Sequence, residues 1–121
     1  MSDVALEAIR KMAVAVDAMF FDGRLRARTL RIEWLPDNAT ALATCWPEQR
    51  KIAFWPDTLD ARYRRRIVAL VVHELAHLAT RNEWDHHGLR WHRVMRRCGM
   101  DPNGTIIPGG PMDSWLRQRG L

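Results

Sequence analysis

A chain of 121 residues, 47% hydrophobic and 27% charged, has the composition of one soluble globular domain, long enough for a single hydrophobic core and too short for two. Its formal net charge is +5 with a sequence pI of about 10.2, and seventeen of the nineteen basic residues are arginine, the cation whose fork matches phosphates and carboxylates. Cys45 and Cys98 form no C-x-x-C pair, which excludes a zinc ribbon, and Asp3, Glu7 and Asp17 exclude a signal peptide or membrane span in the first twenty positions. The expectation is a reduced, cytoplasmic, monomeric protein without membrane contact.

Ser2 or Asp3 can cap a first helix in which Ala5, Ile9, Met12, Val16, Met19 and Phe20 recur at steps of three and four, and Gly23 is placed to end it. From residue 29 the period changes, with Leu30, Ile32 and Trp34 alternating with Arg31 and Glu33 as in a half-buried strand. Pro36, Asp37 and Asn38 turn the chain. ALATCW and KIAFW, separated by Pro47 to Arg50, then read as a hairpin that stops at Pro56.

Asp57 to Asp60 lead into a long helix from about Arg62 to Thr80, and Gly88 to Cys98 forms a second amphipathic helix ended by Gly99 and Pro102. The remaining tail is turn-rich, with one short helix around Asp113 to Gln118. This order predicts a single α+β domain over residues 1–121, with a small three-stranded sheet. Six large tryptophans are expected in the core or lining a cleft.

The most apolar run, VVHELAHLAT at 71–80, carries His73, Glu74 and His77. A buried polar group without a partner costs about 1–3 kcal/mol, so a metal ion is the leading candidate to satisfy them. HELAH fits H-E-x-x-H, in which two histidines four apart share one helix face and the glutamate acts as general base. At about 100° per residue, His77 falls about 40° and Glu74 about 100° from His73. Ala69, Leu70, Ala76 and Thr80 share that side, whereas Ile67, Val68, Val71, Leu75, Leu78 and Ala79 fall opposite, which predicts one packed side and one open on a cleft.

A five-residue pattern also occurs by chance, so a third ligand has to support it. The options downstream are His86, His87 and His92, with Glu83 and Asp85. In the second helix Trp91, Val94, Met95 and Cys98 share one face and Arg90, Arg93 and Arg97 another. His87 is in phase with the apolar face, His86 with the arginines, and His92 with neither, so His87 is the expected third ligand. The spacing does not fit zincins that need glycine and histidine three and six residues beyond His77, where Thr80 and Glu83 stand.

HELAH, nine further residues and then HGLRWHRVM resemble the SprT-like metalloprotease domain, as do FFDGRLRARTLRIEW and RKIAFWPDTLD upstream, together over about residues 5–100. The resemblance implies a zincin-like (minigluzincin) fold, Zn2+ held by His73, His77 and His87, Glu74 as base, and a zinc-dependent endopeptidase. The family includes proteases that degrade proteins crosslinked to DNA. Many members carry a C-terminal zinc ribbon or DNA-binding extension that this sequence lacks, so DNA contact, single-stranded DNA above all, is expected from the catalytic domain itself. Arg64, Arg65, Arg66, Arg90, Arg93 and Arg97 are its candidates, although a solvated arginine face explains them equally well.

A protein or peptide substrate is expected to lie extended along Lys51, Ile52, Ala53, Phe54 and Trp55, with Tyr63, His92 and Arg90 as oxyanion candidates. The alternative is a non-proteolytic, zinc-stabilised DNA-binding or protein-interaction module. Glu74 speaks against it in part, since a purely structural site needs no base beside its ligands.

Overall fold

The computed structural model describes residues 3–36, 39–56, 64–82 and 87–121. Helix α1 (Asp3–Phe20) buries Ile9 and Val16 of the expected stripe together with Ala13, which was not on it, while Ala5 and Met12 are half-buried. Met19, expected on that stripe, is instead 56% exposed. Its place is taken by Phe20, which meets Trp115 edge-on at 5.6 Å, and by the buried Phe21. Asp17, also buried, folds the following loop back onto the helix by accepting hydrogen bonds from the backbone N–H groups of Leu25 and Ala27, each at 3.1 Å.

Strands β1 (Arg31–Trp34), β2 (Ala43–Trp46) and β3 (Lys51–Phe54) form one sheet in the order β1-β3-β2. The hairpin is present, with β2 antiparallel to β3, and β1 runs parallel to β3 from Arg31 opposite Lys51 to Trp34 opposite Phe54. The expected substrate strand is therefore the centre of the sheet. Both edges of Lys51–Phe54 are already hydrogen-bonded, and Ile52, Ala53 and Phe54 are buried in succession, so neither they nor a continuation at Trp55 offers a free edge of β3 to an added strand. Among the described residues, the strand with an unpaired edge near the histidines is β2.

Helix α2 (Arg64–Ala79) packs against α1, β2 and helix α3 (Leu89–Arg97). That surrounding corrects the division into one packed and one open side. Val68, Val71, Val72, Leu75 and Leu78 are buried, but so are Glu74, Ala76 and Thr80 on the histidine side. Residues 62 and 63 of the expected helix lie outside the described residues. Among the tryptophans Trp91 alone is fully buried in the described chain, with Trp34, Trp46, Trp55 and Trp115 half-buried and Trp84 not described. Both thiols are free, and none of the described helices is long and apolar enough to cross a membrane.

Helix α4 (Pro111–Gln118) closes the core with Met112 and Leu116. Gly99 permits the approach, because it has φ of 82° and a Cβ there would stand 2.7 Å from the Met112 nitrogen. Asp113 fastens α4 to α2, accepting from Gly109 N–H at 2.8 Å and from Arg65 Nη1 at 2.9 Å. Arg65 Nε also donates to the Leu121 carbonyl at 2.7 Å. The Gly109 bond, then Arg65, hold the Asp113 carboxyl below its ordinary range.

A depressed carboxyl stabilises the fold above its unfolded pKa of about 3.9, and the contribution disappears as pH falls through the folded value. Asp113→Ala is accordingly expected to lower the melting temperature at neutral pH and to have little effect in strong acid. Equal melting curves at pH 7 would remove this role.

Candidate metal centre

One turn of helix brings His73 and His77 to the same face of α2, with their Nε2 atoms 3.1 Å apart. His87 precedes α3, whose N-cap is Gly88, and its Nε2 lies 3.1 Å from that of His77. The ligand atoms of all three fall within 4.8 Å of one another, so His87 stands where a third ligand is expected, although the extended Gly88 leaves it outside the helix whose phase pointed to it. His92 stands outside this group with its ring edge-on to Trp91, and His86, Glu83 and Asp85 lie outside the described residues.

Hydrogen bonding serves this convergence poorly, since one nitrogen has to divide a single proton or lone pair between two neighbours. A neutral imidazole nitrogen carries either one proton or one lone pair, and His77 Nε2 faces two other nitrogens at 3.1 Å. One cation shared by three lone pairs resolves the conflict. Zinc–nitrogen bonds of about 2.0–2.1 Å in a tetrahedron put their nitrogens about 3.3 Å apart, close to both observed separations. Burial, and secondarily His87, lowers the His73 pKa, which favours the neutral form that has a lone pair to give.

Trp91, 1% exposed, forms the wall behind the cluster. Its ring centroid lies 5.1 Å from that of His73, 5.5 Å from His77 and 4.3 Å from His87. The glutamate and the histidines share a cleft of about 340 Å3 with Ala43, Thr44 and Cys45 of β2 and with Thr80 and Arg81. Glu74 is only 4% exposed, and that burial pushes its carboxyl up to about 7. Such a carboxyl is poised to take and return a proton near neutrality. Cys45 is pushed up to about 12, chiefly by burial and then by Glu74, so its thiol stays neutral and a cysteine-nucleophile chemistry is disfavoured.

Sequence reasoning missed the β2 residues and Arg81. The hairpin reading of ALATCW marked a strand but could not say that it borders α2, and Arg81 has no local signal beyond its place after the helix. Of the oxyanion candidates, neither Arg90 nor His92 lines the cleft, and Tyr63 lies outside the described residues.

The arginines do not form one face along the cleft. Arg65 is committed to Asp113 and Leu121, and Arg64 borders a largely apolar groove between α1, α2 and the C-terminus. Arg66 is exposed, while Arg90, Arg93 and Arg97 line a separate trough.

No curated protein and no solved structure gives a significant match to the chain. The SprT-like family model, however, matches residues 9–107, a span running from α1 past α3 and including all three histidines and Glu74. The chain therefore belongs to the SprT-like family and carries its metalloprotease-like domain.

Proposed function

We propose that the protein is a zinc-dependent endopeptidase with a zincin-like site. The reading is supported above all by one juxtaposition: three histidine nitrogens converge beside a buried glutamate whose carboxyl is pushed up to about 7, in a cleft bordered by a strand edge that no described residue pairs with. His73, His77 and His87 hold the metal. When bound, zinc supplies a Lewis acid that polarises the substrate carbonyl and acidifies water.

Glu74 accepts the proton of the attacking water and returns it to the leaving amine nitrogen. The substrate lies along β2 rather than β3, its backbone pairing with the free edge between Ala43 and Trp46, so that its side chains alternate into and out of the cleft. We extend the reading to protein substrates met on or near DNA. The formal charge of +5 and the exposed Arg64 and Arg66 support this extension.

Metal analysis and casein cleavage test the proposal together, each with and without single-stranded DNA. The expected result is about one zinc per chain, cleavage abolished by a chelator, and cleavage restored by added zinc. A fully zinc-loaded protein that cuts no unfolded substrate under either condition would overturn the endopeptidase reading. DNA contact is read separately, since phosphate binding must weaken linearly in log Kd against log salt. Absence of binding at low salt removes the DNA extension alone.

A further inference from the structure

A second concavity, of about 540 Å3, shares the wall residue Thr80 with the metal cleft. Its rim carries Arg90, Arg93 and Arg97 from α3 and Arg24 from the loop after α1, against one carboxylate, Asp22. The three α3 arginines follow at steps of three and four on a helix with no acidic residue, an arrangement in which neighbouring charges repel. Arg24 and Arg93 have no ion-pair partner among the described residues. A bounded hollow ringed by four guanidinium groups is a site for an anion.

We propose that this trough holds acidic side chains of the polypeptide being cut, so that the protein prefers segments carrying aspartate or glutamate beside the scissile bond. The proposal rests on the endopeptidase reading for the path of the chain, which passes from the cleft over Thr80 and Arg81 into the trough. Carboxylates suit it better than a nucleic-acid strand. The hollow is a half-open concavity rather than a stripe, and its aromatic wall is already engaged: Phe20 meets Trp115 edge-on, and Phe21 is buried under Arg97, whose guanidinium lies 5.3 Å from the ring. Arg65, committed to Asp113, does not extend the positive surface toward a phosphate backbone.

The test uses zinc-loaded protein and quenched fluorogenic peptides with one cleavable core, flanked on either side by a glutamate run or an alanine run. Wild type is expected to cleave one glutamate-flanked peptide with KM lowered about tenfold relative to its alanine counterpart, an advantage that shrinks with added salt. The double substitution Arg24→Glu with Arg93→Glu is expected to bring that ratio to one or below. Arg97 is left in place because it also donates to the Phe20 carbonyl at 3.3 Å. The double substitution Lys11→Glu with Arg28→Glu, an equal charge change at exposed positions outside the trough, should keep the preference.

Equal KM values in wild type, or a preference that survives the double substitution, would overturn the proposal. Anisotropy of a labelled glutamate-run peptide on Glu74→Gln protein gives a readout independent of turnover. Binding that the double substitution abolishes, in a protein that cuts nothing, supports the trough while the endopeptidase reading falls. Single-stranded DNA bound in place of the peptide, and lost in the same variant, overturns the proposal in favour of a nucleic-acid occupant.

Discussion

Glu74→Gln is expected to retain zinc and to lose about 10²- to 10⁴-fold in kcat against casein or a peptide, the usual contribution of a positioned general base. The amide matches the carboxylate in size and fills the same buried place beside His73, so the ligand set is undisturbed. It cannot accept the proton. Retained turnover at the wild-type rate would remove Glu74 from the mechanism, and loss of zinc in the variant would show that its role is structural.

The same substitution has a second readout in the metal-free protein. Burial raises the Glu74 carboxyl from 4.5 to about 7, so the folded state holds this proton more tightly than the unfolded one. Its contribution to stability is complete below the unfolded pKa and is lost as pH rises through the folded value. The loss amounts to at most about 3 kcal/mol, at 1.36 kcal/mol per pKa unit. The amide of the variant does not titrate. Urea midpoints measured in chelator should therefore fall between pH 5 and pH 8 by more in wild type than in the variant, and parallel profiles would contradict the assigned environment.

Local features of the chain made much of the site legible. Helical period and the four-residue step placed His73 and His77 together, whereas His87 stands before an extended Gly88, outside the helix whose phase was carried back to it, so its position beside them is set by the loop and not by that phase. Strand order was not legible in the same way. The pairing of β1 with β3 joins segments separated by a whole strand, and no turn between them records it. A weaker signal was available, since Ile52-Ala53-Phe54 is an unbroken apolar run of the kind found in a strand covered on both faces. Read that way, KIAFW belongs in the centre of the sheet.

The arginine run at 64–66 shows the same limit in electrostatic form. Three adjacent cations look alike in a sequence, yet the partner that neutralises Arg65 lies 48 positions downstream on α4. Tertiary contacts sort identical residues into one brace and two exposed charges, the first of these beside a groove, and only the exposed pair is available to a ligand.

Trp91→Ala is expected to be the most destabilising single change near the site. The ring is 1% exposed and packs between α2 and α3, touching each of the three histidines. Truncating a buried tryptophan costs about 3–5 kcal/mol through lost burial and the cavity left behind. Since a small domain is stable by only about 5–15 kcal/mol, the metal-free variant stands close to unfolding. With a urea slope of about 2 kcal/mol per molar, its midpoint should fall by about 2 M. Zinc affinity should fall as well, by about 10- to 100-fold, because the imidazoles lose the wall that orients them. Trp91→Phe keeps an aromatic wall of smaller volume and separates the two effects: it should recover most of the affinity and part of the stability. A Trp91→Ala protein with wild-type urea midpoint and zinc affinity would show that the histidines are oriented by their own helices, and that the tryptophan three residues after Gly88 serves neither the core nor the metal.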